Sequence, residues 1–77
     1  MDEPRGGVYA FVDPEGERVR FVGRSRDVDR RVEDWKRRFE ETGDSRRPVV
    51  LGRHDDPVAR IIMEQKALDQ YGTVRQD

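Results

Sequence analysis

The chain contains no cysteine, so disulfides and thiolate metal sites are both excluded. It has a single histidine, which rules out a histidine-cluster zinc centre. No apolar stretch approaches the roughly 20 residues that span a bilayer, and no signal-peptide pattern opens the sequence. A cytoplasmic setting without membrane contact is therefore expected. Apolar residues are scarce, at 32% of 77, whereas 43% are charged. One small domain over residues 1–77 is expected, with a thin core. The apolar residues recur periodically and the net charge is −1, so a fold is expected rather than disorder.

The near-zero net charge conceals an asymmetry. Between Arg18 and Arg38 lie nine basic residues and four acidic ones, a net charge of +5, which leaves −6 for the remainder. A basic face on an acidic body suits phosphate binding, and a solvated, salt-bridged helix would give the same pattern. Arginine outnumbers lysine 14 to 2, which favours forked contacts to phosphate.

Residues 1–6 read as a frayed lead-in. Gly7–Val12 alternates as a strand, with Val8, Ala10 and Val12 on one face and Tyr9 and Phe11 on the other. Asp13-Pro14-Glu15-Gly16 fits a type I turn. Arg18–Val22 returns as the second strand of an antiparallel hairpin, and Gly23 is expected to end it. Asp27 can cap a helix from Val28 to about Glu41, whose Val28, Val32, Trp35 and Phe39 form one apolar stripe. Gly43 suits the stop. Pro48–Leu51 is long enough for a short third strand. Asp56 and Pro57 open a second helix that runs to about Tyr71, with Gly72 after it and Val58, Ile61, Ile62, Leu68 and Tyr71 as its apolar positions. The order is β-β-α-β-α, an α+β fold with a small three-stranded antiparallel sheet and flanking helices.

Three residues stand out chemically. Glu64 falls between Leu68 and Tyr71 around the second helix, at or within the apolar arc. A carboxylate there needs a positive partner. An arginine would serve, and so would a hard divalent ion held with water and substrate phosphate. Arg31 borders the first helix's stripe. It is either an ordinary surface arginine or a fork of donors for a phosphate. Tyr9 is either packing or a phenol able to act on water, given help from a cation. Trp35 and Phe39 read as core, and His54 as a surface residue.

The ordered combination is more specific than its parts. Gly7-Val8-Tyr9 is followed, with eleven residues between, by Phe21-Val22-Gly23. Arg31 lies eight residues after Gly23, at the end of the run Gly23-Arg24-Ser25-Arg26-Asp27-Val28-Asp29-Arg30-Arg31. Glu64 lies within Ile61-Ile62-Met63-Glu64-Gln65. From Gly7 to about Gly72 the chain resembles the GIY-YIG nuclease family. The resemblance implies a Mg²⁺- or Mn²⁺-dependent endonuclease acting on DNA or RNA, with Tyr9, Arg31 and Glu64 catalytic and Glu64 also the metal ligand. Arg20, Phe21, Gly23, Arg24 and Arg26 would contact substrate. Arg60-Ile61-Ile62-Met63-Glu64-Gln65 with Tyr71-Gly72 is most similar to toxin-type members. Those imply a larger parent polypeptide, an inhibitor protein as partner, and delivery into a target cell's cytoplasm.

Two positions depart from the family pattern. Phe21 replaces the usual tyrosine of the second triplet, and Trp35 stands one helical turn beyond Arg31, where relatives carry histidine or another polar residue. These departures define the alternative, a domain of the same fold that binds nucleic acid through Arg24, Arg26 and Arg31 without cleaving it. A third reading is a protein-interaction domain whose charged helices contact only protein.

Overall fold

The computed structural model describes residues 4–15 and 18–71. It contains β1 (Gly7–Val12), β2 (Val19–Ser25), α1 (Val28–Thr42), β3 (Arg47–Arg53) and α2 (Pro57–Tyr71). The expected α+β fold and β-β-α-β-α order are both present. The strands form one antiparallel sheet in the order β2-β1-β3, so the first strand in sequence is the central one. This explains why Gly7–Val12 is buried throughout rather than on alternate residues: both faces of a central strand are covered.

Each face receives one helix. Tyr9 and Phe11 pack with Val28, Val32 and Phe39 of α1, and Phe21, Trp35 and Val50 lie against them. Val8, Ala10 and Val22 pack with Ala67 of α2, bordered by Val19, Val49, Met63 and Leu68. Phe11 is the aromatic hub of the first layer, its ring 4.7 Å from Phe21 and 4.9 Å from both Trp35 and Phe39. Such ring pairs add to what burial of their area contributes.

The caps of α1 follow the sequence. The Asp27 side chain accepts from the Arg30 N–H at 3.3 Å, and Gly43 closes the helix in the left-handed region at φ 72°. At α2, Asp56 accepts from the Val58 N–H at 2.9 Å. The stop expected at Gly72 and the Gly16 end of the first turn lie outside the described residues. Asp13 N–H donates to the Arg18 carbonyl at 2.9 Å and closes the hairpin.

Four expectations are corrected. Gly23 does not end β2, which continues to Ser25 with Gly23 opposite Tyr9 and Arg24 opposite Val8. The third strand is longer than Pro48–Leu51 and runs over seven residues, because it pairs along the whole of β1. Residues 5 and 6 are tied down: the Arg5 carbonyl accepts from Val28 N–H, and Asp55 Oδ1 accepts from the N–H groups of Arg5 and Gly6. The inward face of α2 is the largest difference. Val58, Ile61, Ile62 and Tyr71 are exposed, whereas Arg60, Glu64 and Ala67 are buried. Positions 60, 64 and 67 share one helical stripe at four- and three-residue steps, and the apolar run is rotated away from it.

Candidate nucleic-acid interface

The end of β2 and the first two turns of α1 form an open groove of about 500 Å³. Arg24, Ser25, Arg26, Asp27, Arg30, Arg31 and Asp34 line it. Four arginines against two aspartates leave the lining at a formal +2. Local bonding already engages both carboxylates: Asp27 caps α1, and Asp34 pairs with Arg37 at 3.3 Å. The turn into the helix is held by Ser25 Oγ, which accepts from Asp27 N–H at 3.1 Å. The N-terminus of α1 adds its partial positive charge at the same place.

Arg24 joins this groove to the opposite helix. Its Nη1 donates to Glu64 Oε1 at 2.9 Å. Glu64 is 2% exposed, whereas the Arg24 side chain is 34% exposed. A buried carboxylate on α2 thus meets a half-buried guanidinium that also faces the groove. This is the arginine-partner reading of Glu64, realised by Arg24. Among the described residues, no group of three or more histidine, cysteine, aspartate or glutamate side chains gathers as a metal cage.

Tyr9 does not line the groove. It is 6% exposed, on the α1 side of the sheet. Its phenol lies across Gly23, where a Cβ would sit 2.8 Å from both the ring carbon Cζ and the hydroxyl oxygen. Glu64 approaches from α2, on the other face. The two residues therefore reach the sheet from opposite sides at successive positions of β2, Tyr9 over Gly23 and Glu64 on Arg24.

The remaining sequence-predicted residues divide into two groups. Arg31, Arg24 and Arg26 share the groove, with Gly23 beside it in sequence. Arg20 instead pairs with Asp13 near the hairpin turn, and Phe21 stacks on Phe11 in the core layer. Arg30 is the groove arginine not among the predicted site residues; its place immediately before Arg31 in the first turns of the helix was the available signal. Asp29, on the same turns, is held below the usual carboxylate range by its hydrogen bond to Arg53, against some desolvation. Arg53 binds it through both terminal nitrogens, fixing α1 to the end of β3.

The chain matches no protein-family model, no curated protein and no solved structure.

Proposed function

We propose that this chain is a divalent-metal-dependent phosphodiesterase acting on nucleic acid, with the arginine groove as its backbone-binding surface. The observation that carries the reading is the junction at Arg24. A groove lined by four arginines meets a buried carboxylate at 2.9 Å, which puts phosphate-binding and carboxylate chemistry side by side. The resemblance in Gly7-Val8-Tyr9, Phe21-Val22-Gly23, Arg31 and Glu64 supports the same assignment.

In this reading Arg26, Arg30 and Arg31 hold non-bridging oxygens of the backbone. Arg31 also stabilises the charge that gathers on phosphorus oxygens as water adds and the bond to the leaving oxygen breaks. The resemblance gives Tyr9 the task of orienting the attacking water, which its phenol, packed over Gly23 outside the groove lining, could do only by turning out of the core layer. Glu64 is, among the described residues, the buried carboxylate adjoining the groove, and a single carboxylate with water and substrate phosphate is a donor set that Mg²⁺ accepts. Its chemistry suits the ion once Arg24 yields the oxygen it holds. When bound, the ion would neutralise charge on the leaving group. The setting we assign is the cytoplasm, either the cell's own or that of a target cell reached as part of a larger polypeptide, where an inhibitor protein would be a natural partner.

A second reading is favoured by two specific observations: Arg24 already occupies Glu64, and Tyr9 is packed in a core layer. Both suit a domain that binds nucleic acid without cutting it.

Cleavage of plasmid, duplex DNA, single-stranded DNA and transfer RNA with Mg²⁺ or Mn²⁺ separates the two readings. The nuclease reading expects cutting that EDTA stops and that falls at least a hundredfold in Glu64→Ala (on the order of the loss of a stabilising group at a reacting centre). Binding in a gel without cutting, by a chain that gives a cooperative unfolding transition, would establish the second reading instead. Neither binding nor cutting would overturn both.

A further inference from the structure

We propose that Arg24 couples the two ligands of this site, so that nucleic-acid phosphate and a divalent cation bind Arg24 and Glu64 cooperatively. The inference rests on the functional reading above and adds the order that its geometry imposes.

Glu64 is nearly inaccessible and Arg24 Nη1 donates to its Oε1 at 2.9 Å. A divalent cation approaching Glu64 therefore competes with a guanidinium already there, and the two like charges repel across a few ångströms. The Arg24 side chain is a third exposed and lines the arginine groove. A guanidinium carries five N–H donors in a rigid fork, so Arg24 can turn from carboxylate to phosphate without losing a partner for its charge. A phosphate in the groove supplies the anion that Arg24 otherwise finds in Glu64. Phosphate binding thereby lowers the competition at Glu64, and cation binding there drives Arg24 towards the groove. The coupling is reciprocal by thermodynamic necessity, and such couplings amount to about 5–150-fold in affinity. Arg24 is thus a positioning residue that keeps the carboxylate neutralised until a backbone phosphate arrives.

The test is a Mn²⁺ titration of the full chain, followed by the paramagnetic resonance of free Mn²⁺. It is run alone and with a saturating ten-nucleotide DNA whose linkages resist hydrolysis, with Glu64→Gln plus the same DNA as the blank. The expected result is Mn²⁺ affinity at least about fivefold higher with DNA than without, the lower end of ordinary coupling. Arg24→Gln is expected to bind Mn²⁺ more tightly than the wild type without DNA and to lose the response to DNA. Equal Mn²⁺ affinity with and without DNA, in a chain that binds both, overturns the coupling and leaves the metal role of Glu64 standing. Absence of any Glu64-dependent Mn²⁺ binding under either condition removes that metal role, and the coupling with it. The wild-type comparison needs no change at Arg24, so the test is decisive even if Arg24→Gln does not fold.

Discussion

A methyl group at Gly23 would sit 2.8 Å from the hydroxyl oxygen and Cζ of Tyr9 and from Cε1 of Phe21. Those atoms belong to the aromatic layer under α1, so neither ring can swing away freely. Gly23→Ala is expected to destabilise the chain by about 1–3 kcal/mol through overpacking. Gly43→Ala meets no atom within 4 Å, but Gly43 has φ 72°; the expected loss there is about 1–2 kcal/mol, from backbone strain alone. Urea denaturation of both variants, each also combined with Tyr9→Ala, tells the causes apart. The Gly23 effect should shrink in the Tyr9→Ala background and the Gly43 effect should not. An unchanged Gly23 penalty would mean that the phenol is not what the glycine makes room for. Asp55 gives a second test at this scale. Its carboxyl lies below the ordinary 3.8, chiefly through the Gly6 N–H bond, against a smaller effect of burial, and further through the Arg5 N–H bond. A depressed carboxylate contributes stability that is present above its unfolded value and lost as pH falls through the folded one. Asp29 and Asp44 are shifted in the same direction by Arg53 and Arg46. The urea midpoint should therefore fall as pH drops below about 4, and Asp55→Asn, which keeps the acceptor oxygen but not the charge, should make that fall shallower. An identical acid limb in Asp55→Asn would remove the link to this residue.

The second helix shows where periodicity misleads. Val58, Ile61 and Ile62 are its most apolar residues early on, yet they are 62%, 42% and 50% exposed. The buried stripe is stabilised by polar contacts from outside the helix, one set just before it and one far away in sequence. Arg60 Nη1 reaches the carbonyls of His54 and Asp55, at 3.4 and 3.2 Å, and Glu64 meets Arg24 forty residues earlier. Sequence spacing can mark a helix face, but it cannot reveal that a backbone carbonyl or a distant guanidinium will satisfy that face. The first helix was legible for the converse reason: Val28, Val32 and Phe39 are buried against aromatic strand residues and need no polar partner. Likewise Arg24, Arg26 and Arg31 were named as phosphate-contact candidates through the family resemblance, and they do share one groove, whereas the Arg20–Asp13 pairing depends on the hairpin fold that brings those residues together. The rotated face of α2 predicts an asymmetry. Ile62→Gln should change stability by no more than about 0.5 kcal/mol, as at other open surface positions. Ala67→Leu, on the buried stripe, should cost about 1–3 kcal/mol. Denaturation midpoints check both, and a larger loss at Ile62 than at Ala67 would mean that the helix packs the other way round.

Across the whole molecule, charge is sorted by position rather than by amount. The chain is almost neutral, yet Arg18–Arg38, which covers β2 and most of α1, carries +5, and four of its arginines line one groove. A partner that reads average charge would be indifferent to this chain; a polyanion that touches only the groove would not. The consequence is measurable without cleavage. Each backbone phosphate neutralised by the protein releases counterions, steepening the fall of log affinity with log salt by about 0.9 for duplex and about 0.7 for single strands. Arg26 and Arg30 line the groove without any part in the Glu64 pair, so Arg26→Gln or Arg30→Gln should weaken binding uniformly across sequences and flatten the slope by about that amount. Arg47 provides the control: it is exposed on β3 opposite Val12, whereas the groove begins beside Arg24, opposite Val8 towards the other end of β1. Arg47→Gln removes the same formal charge, and any change it causes reflects net charge alone. Fluorescence anisotropy of a labelled oligonucleotide between low and physiological salt, in EDTA, gives all three slopes. Flattening in the groove variants beyond that in Arg47→Gln supports the groove as the contact surface. Equal slopes in all three variants would mean that the polyanion, if it binds, follows some other face.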